Sequence, residues 1–225
     1  MPACVDQIIV VDDASDDGTA QIARACGDRR VLVVRHQQNR GVGAAIASGY
    51  LSALQEGGGA RDVFAVMAGD GQMHPDDLRV LVEPVASDAA DYVKGDRFRS
   101  AELRTQMPMA RYVGGVLFSK LTSLALGIPI SDSQCGYTAI ARDACAQIDL
   151  AAMWPRYGYP NDLLGALVAR GLRIAERPVR AIYQGERSGL RLRHLPVIAA
   201  LIVRAGWRLR RASPQSLARQ SLSRT

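Results

Sequence analysis

The stretch Ile8-Ile9-Val10-Val11-Asp12-Asp13-Ala14-Ser15-Asp16-Asp17-Gly18-Thr19 decides the fold. Four β-branched residues in an unbroken run read as a strand buried on both faces, and such strands belong to sheets covered by helices. The run stops at two carboxylates, after which Asp16-Asp17-Gly18 supplies turn chemistry. Thr19 is a candidate N-cap for a helix through Cys26, and Val31 to Arg35 is the next apolar strand. The unit is β-α-β. Asp12 and Asp13 stand at the carboxyl end of its first strand, where open α/β sheets bind their ligands. Carboxylates there can accept hydrogen bonds from a base edge or from ribose hydroxyls.

The pattern repeats downstream. A glycine-rich turn at Asn39 to Gly43 leads into a helix from about Ala44 to Gln55, and a strand from Val63 to Met67 ends at Gly69 and Asp70. Pro75 to Val85 reads as a helix with Pro in its first turn and Asp76 and Asp77 near its positive end. Tyr92 to Lys94 is another strand. Tyr112 to Leu126 is an apolar helix carrying one lysine, Lys120, and reads as a core helix or as one lying on a membrane surface, with the core reading preferred. A polar loop at Ser131 to Tyr137 precedes a short strand at Thr138 to Ala141. Asn161 to Arg170 reads as a helix stopped by Gly171, and Arg173 to Tyr183 as a last strand broken at Pro178. Strands alternating with helices predict an α/β fold, a mostly parallel, Rossmann-like sheet between helices.

With 225 residues, 48% hydrophobic and 22% charged, the chain fits one packed domain and excludes a disordered or fibrous protein. The domain is expected over residues 1–190, with 191–225 as a basic amphipathic tail. The net charge of +6 gathers there: Leu195 to Trp207 is apolar and runs into Arg208, Arg210 and Arg211, too short to span a bilayer but suited to lying on one. Aromatic residues are 5% and no recognised motif accompanies the arginines, so nucleic acid is not expected as a partner. The four cysteines have no CxxC spacing and read as reduced thiols of a cytoplasmic protein, with no disulfide and no structural metal. No run of membrane-span length or signal-peptide pattern occurs, so the expected location is the cytoplasm, peripheral at the inner face of the membrane.

Several segments carry chemistry in a fixed order. After the acidic stretch come Asn39-Arg40-Gly41-Val42-Gly43-Ala44-Ala45, then Met67-Ala68-Gly69-Asp70-Gly71-Gln72-Met73-His74-Pro75, then Lys94-Gly95-Asp96-Arg97. Ser131-Asp132-Ser133-Gln134-Cys135-Gly136-Tyr137, Asn161-Asp162 and Gly185-Glu186-Arg187-Ser188-Gly189 follow. Over Ile8 to Gly189 this series resembles the family 2 glycosyltransferases of GT-A type, and within them the dolichyl- and polyprenyl-phosphate sugar synthases.

The resemblance implies a GT-A nucleotide-diphospho-sugar transferase fold and inverting transfer of a sugar from a GDP- or UDP-sugar to a polyprenyl phosphate or other acceptor. It implies donor contacts from Asp12, Asp13, Gly41, Gly43, Asp70, Arg97, Arg111, Arg187 and Ser188. Asp70, with Gln72 beside it, would hold Mg²⁺ or Mn²⁺, the hard cation that a diphosphate leaving group calls for. Asp132 and Asp162 are rival candidates for the catalytic base, and both would only orient an acceptor that is already an anionic lipid phosphate. The chain departs from the family in two places. Ala68 stands where the commoner DxD form has its first acid. Members normally begin with a further strand and a Pro-x-Tyr-Asn-Glu loop, and this chain starts just after them, which predicts an exposed edge or a gap in the sheet. A nucleotidyltransferase and a non-catalytic protein that binds a partner or membrane are the alternative readings.

Overall fold

The computed structural model describes residues 1–59, 62–100, 107, 109–182 and 194–211. In chain order the elements are β1 (Ile8–Asp12), α1 (Thr19–Ala25), β2 (Val31–Arg35), α2 (Val42–Gln55), β3 (Val63–Val66), α3 (Leu78–Ala86), β4 (Tyr92–Asp96), α4 (Met109–Leu126), β5 (Thr138–Ala141), α5 (Arg142–Ala146), α6 (Tyr159–Ala169), β6 (Ile174–Pro178) and α7 (Leu195–Arg211). Runs rich in β-branched residues form β1 and β2 as expected, and Asp12 closes β1.

β1 and β2 pair in parallel, Ile8 opposite Val31 through Asp12 opposite Arg35. The second sheet has the order β3-β5-β4-β6; β4 and β6 are parallel, whereas β5 runs antiparallel to both its neighbours. The sheets are thus less uniformly parallel than the alternation of elements predicts. A four-residue apolar run has a side-chain period of two and reads the same in either direction, so β5 carries no signal of its own polarity.

Among the described residues no ladder joins β1 to β3. Helix α2 bridges the two sheets. Its Gly49 lies against Val11, where an added Cβ would sit 3.5 Å from Cγ2, and the rings of Tyr50 and Phe64 lie 6.4 Å apart.

The core has two layers. Tyr92 and Ile140 pack with Leu163, Leu164 and Leu167 of α6 on one side of the sheet. Val93, Tyr137 and Ala139 pack with Leu78, Leu81 and Val85 of α3 on the other. Helix α7 joins the first layer. Its Ile198 and Ala205 are completely buried, and an added Cβ on Gly165 of α6 would fall 2.5 Å from that of Ala205. Residues 195–211, read from the sequence as part of a tail, form α7, which packs on α6 through an apolar face directed inward. No helix among the described residues is long and apolar enough to cross a membrane.

Candidate active site

At the end of β1 the two acids point into the protein. Asp12 is 2% exposed; its Oδ1 accepts the Ser15 N–H at 2.9 Å, and Arg35 Nε lies 3.2 Å from Oδ2. Hydrogen bonds from Ser15, and to a lesser extent the Arg35 charge, hold this carboxyl below the usual carboxylate range. Asp13 accepts the backbone N–H groups of Gly41 at 2.7 Å and Arg40 at 2.9 Å, and its Oδ1 lies 2.6 Å from His36 Nδ1. Burial pushes Asp13 up, but the Arg40 and Gly41 N–H groups and His36 together outweigh it and the net shift is downward.

The turn that Asp13 clamps leans on a distant segment. Gly41 has φ of 99°, and an added Cβ there would come 2.5 Å from the Pro155 carbonyl oxygen. A Cβ on Gly43 would collide with the Trp154 carbonyl oxygen, and the Ala44 N–H donates to the Pro155 oxygen at 3.0 Å. The glycines expected to admit a ligand thus admit the protein's own backbone. Trp154 N–H in turn donates to Asp162 Oδ2 at 2.8 Å. Asp162 is completely buried, with Arg208 Nη1 of α7 2.9 Å from Oδ1. Asp13, Gly41, Gly43 and Asp162 therefore form one connected scaffold.

The other strand ends are arranged differently. Asp70 is exposed in the turn after β3, and its Oδ1 accepts the Gln72 N–H at 3.0 Å. The Ile182 N–H donates to Gln72 O at 3.0 Å and Met73 bridges Ala181, which lays this turn beside the end of β6. A cleft opens there, lined by Gln72, Met73, Arg97, Gly136, Tyr137 and Arg180. Arg97 forks onto Asp132, Nε to Oδ2 at 2.7 Å and Nη2 to Oδ1 at 3.0 Å. Burial pushes Asp132 up, but the Arg97 charge and hydrogen bonds, with help from Lys94, reverse it and hold the carboxyl below the usual range. It stays an anion.

Three residues in this cluster were not anticipated. Glu176 of β6 accepts the N–H groups of Ser131 at 2.8 Å and Asp132 at 3.1 Å, fixing the loop that carries Asp132. Lys94, completely buried, donates to the Cys135 carbonyl, and burial lowers its pKa. Arg180 is held by Asp77, Nη2 to Oδ1 at 2.6 Å, and adds a second cation to the cleft wall. A lysine directly after the apolar pair Tyr92-Val93 was the available signal for Lys94. Glu176 and Arg180 find their partners 45 and 103 residues away in sequence, so spacing gave none.

The structure thus gathers Gln72 and Arg97 at one cleft, with Asp132 completely buried behind Arg97. Arg187 and Ser188 lie outside the described residues, as does the side chain of Arg111 on α4. Among the described residues no group of three or more His, Cys, Asp or Glu side chains converges as a metal site. One exposed carboxylate does not make an all-protein cage. It does fit a cation held by one or two carboxylates plus substrate phosphates and water, the usual binding mode of Mg²⁺.

Comparison with known proteins gives the family. Residues 2–149, well over half the chain, match the family model for glycosyl transferase family 2. The chain is 30% identical over 192 residues to the UDP-N-acetylglucosamine–dolichyl-phosphate N-acetylglucosaminyltransferase of Methanococcus voltae, covering 79% of this chain and 75% of that protein. It is 33% identical over 175 residues to the undecaprenyl-phosphate mannosyltransferase of Micrococcus luteus, covering 76% and 70%. Among solved structures, glucosyl-3-phosphoglycerate synthase from Mycobacterium tuberculosis, in complex with Mn²⁺, uridine-diphosphate-glucose and phosphoglyceric acid, superposes with a TM-score of 0.59 at 21% identity, covering 90% of this chain and 69% of that one. Mannosyl-3-phosphoglycerate synthase from Rubrobacter xylanophilus gives 0.57 at 19%, covering 92% and 64%. At such identities the structural matches carry the fold. The chain belongs to glycosyl transferase family 2: it is a glycosyltransferase with the GT-A fold, related to the polyprenyl-phosphate sugar synthases.

Proposed function

We propose that the protein transfers a sugar from a nucleotide diphosphate donor, a GDP- or UDP-sugar, to a polyprenyl phosphate, with inversion and with dependence on Mg²⁺ or Mn²⁺. The observation that carries this reading is the cleft in which Gln72, Arg97 and Arg180 meet beside the exposed Asp70, with Asp132 buried behind Arg97. Two guanidinium groups there suit phosphate by their charge, each with one edge already held by a carboxylate, Asp132 for Arg97 and Asp77 for Arg180. The curated relatives support the acceptor class, since two of them are named for dolichyl- and undecaprenyl-phosphate.

In this reading a phosphate oxygen of the acceptor attacks the anomeric carbon from the face opposite the diphosphate. The bond from that carbon to the diphosphate oxygen breaks, and the electron pair leaves with the nucleoside diphosphate. A lipid phosphate is already anionic near neutral pH and needs no base. Asp132, a fully buried anion forked by Arg97, then orients that arginine toward the reacting phosphates instead of taking a proton. Asp70, with Gln72 beside it, would hold the cation, which supplies charge neutralisation at the leaving diphosphate. The reaction takes place in the cytoplasm at the inner face of a membrane, where the acceptor resides.

The test is release of nucleoside diphosphate from a panel of GDP- and UDP-sugars with polyprenyl phosphate and Mg²⁺ or Mn²⁺. The expected result is turnover with one donor that disappears with EDTA and in Asp70→Ala. Turnover that survives EDTA overturns the metal assignment. Failure of every donor with polyprenyl phosphate, alongside transfer to a soluble acceptor, overturns the lipid one.

A further inference from the structure

Tyr159 opens α6, and its side chain crosses from one sequence motif to another. At its base, an added Cβ on Gly43 would fall 3.0 Å from Tyr159 Cβ. At its tip, an added Cβ on Gly136 would fall 3.0 Å from the Tyr159 hydroxyl oxygen and 3.6 Å from Met73 Cε. Gly136 and Met73 both line the cleft. The ring therefore runs from the turn that Asp13 clamps to the wall of the site, and the bare Gly136 leaves room for its hydroxyl.

The other polar groups around Gly136 are committed to the protein. The Tyr137 hydroxyl donates to the His74 carbonyl at 3.1 Å, and Gln134 Nε2 donates to Ser133 Oγ at 2.9 Å. Arg97 and Arg180 are held by Asp132 and Asp77. The hydroxyl of the half-buried Tyr159 hydrogen-bonds none of the described residues. A tyrosine in such surroundings normally has a partner for its O–H. Burial, with the Cys135 thiol nearby, raises the phenol above its ordinary pKa, so near neutral pH it keeps its proton and both donates and accepts.

The chemistry of a nucleotide sugar identifies the missing partner. Its diphosphate is anionic and suits the two guanidinium groups and a cation at Asp70. Its sugar is uncharged and carries hydroxyls, each of which donates and accepts. A neutral group with the same two capacities is the matching partner. We propose that Tyr159 is a specificity-determining residue for the transferred sugar, its hydroxyl hydrogen-bonding one hydroxyl of the hexose. This rests on the nucleotide-sugar donor proposed above and on no particular acceptor. Because the ring is rooted against Gly43 and reaches Gly136, two fixed backbone segments set the position of its oxygen. An epimer that carries the recognised hydroxyl on the other face of the sugar ring loses the bond and leaves the phenol unpaired.

The experiment compares the full wild-type chain with Tyr159→Phe, which removes one oxygen and keeps the ring. Nucleoside diphosphate release gives kcat/KM for GDP-mannose, UDP-glucose and UDP-N-acetylglucosamine, then for analogues of the preferred donor that lack one sugar hydroxyl at a time. Calorimetry follows binding of GDP and UDP. Tyr159→Phe is expected to lower kcat/KM for the preferred donor about tenfold and to leave GDP and UDP binding unchanged. One single-deoxy donor should lose a similar factor on wild type and nothing more on the variant, as the two halves of one bond do. Such ratios between donors are independent of the fraction of variant that is folded. A variant that ranks the deoxy donors as wild type does overturns the proposal. So does a matching loss of GDP or UDP binding, which would put the phenol on the diphosphate. If no nucleotide sugar binds to wild type or is turned over, the donor reading falls and takes this inference with it. If a donor is used with any acceptor, water included, the deoxy series judges Tyr159 alone.

Discussion

Asp13 and Asp70 occupy similar places, each soon past the carboxyl end of a strand and each near glycines, yet their carboxylates face opposite ways. Asp13 is turned inward and accepts bonds from Arg40, Gly41 and His36. Asp70 is turned outward and, among the described residues, holds its own turn through Gln72 N–H. The first organises the glycine turn and, through Trp154 and Pro155, the ground on which Asp162 sits. The second is presented to solvent beside the arginine-lined cleft. Position at a strand end makes an acid available for a ligand, and its partners then determine whether it becomes scaffold or site.

Mutation separates the two roles most sharply at these acids. Asp13→Ala removes a half-buried anion from three partners and leaves two backbone donors without acceptors, at an expected cost of about 3 kcal/mol. For a chain of this size that lowers the melting temperature by roughly 6–12 °C, measurable by calorimetry. Asp70→Ala should leave the melting temperature nearly unchanged and cut turnover at least about a hundredfold, because even outer-shell partners of a metal cost about 10–100-fold. If Asp70→Ala melts early, or Asp13→Ala keeps its melting temperature and loses donor binding, the roles are reversed.

A glycine pair repeats the contrast at smaller scale. Gly43 has no room for a Cβ against the Trp154 carbonyl, whereas a Cβ on Gly69, just before Asp70, would meet nothing within 4 Å. Gly43→Ala is expected to destabilise by about 2 kcal/mol as the backbone is pushed aside. Gly69→Ala should lie within about 0.5 kcal/mol of wild type, as surface substitutions do. Equal losses in chemical denaturation would mean that the first turn is as open as the second.

The sequence carried the elements well and the roles less well. A β-branched run closed by acids marked β1, and a short apolar run followed by a glycine turn marked β3, because those signals are local. The direction of β5 was not legible in four residues that alternate identically either way. The need for glycine at Gly41 and Gly43 was legible, but its cause, the approach of a backbone segment over a hundred residues later, was not. The Arg97–Asp132 fork was expected only as two separate candidates, since nothing in either segment names the other. The inward apolar face of α7 was hidden by the arginines that follow it, which made the segment read as a tail.

The smallest effect is in the acid limb of stability, and it tests the clamp directly. Asp13 has its carboxyl held below the ordinary range in the folded state, so between its folded and unfolded pKa values the unfolded chain binds more protons. The stability this contributes is complete above the unfolded value, near pH 4, and is lost as the pH falls through the lower folded value. Denaturant midpoints measured from neutral pH down through this window should therefore fall more steeply for wild type than for Asp13→Asn, which has no carboxyl to titrate at that site. Asp132→Asn should flatten the same limb, because Asp132 is also held low once Arg97 and Lys94 have overcome its burial. A limb that Asp132→Asn flattens and Asp13→Asn does not would mean that the bonds from Arg40, Gly41 and His36 are not made in solution. Asp13 would then be as available to a nucleotide as Asp70 is to a cation, and the two strand ends would no longer differ in kind.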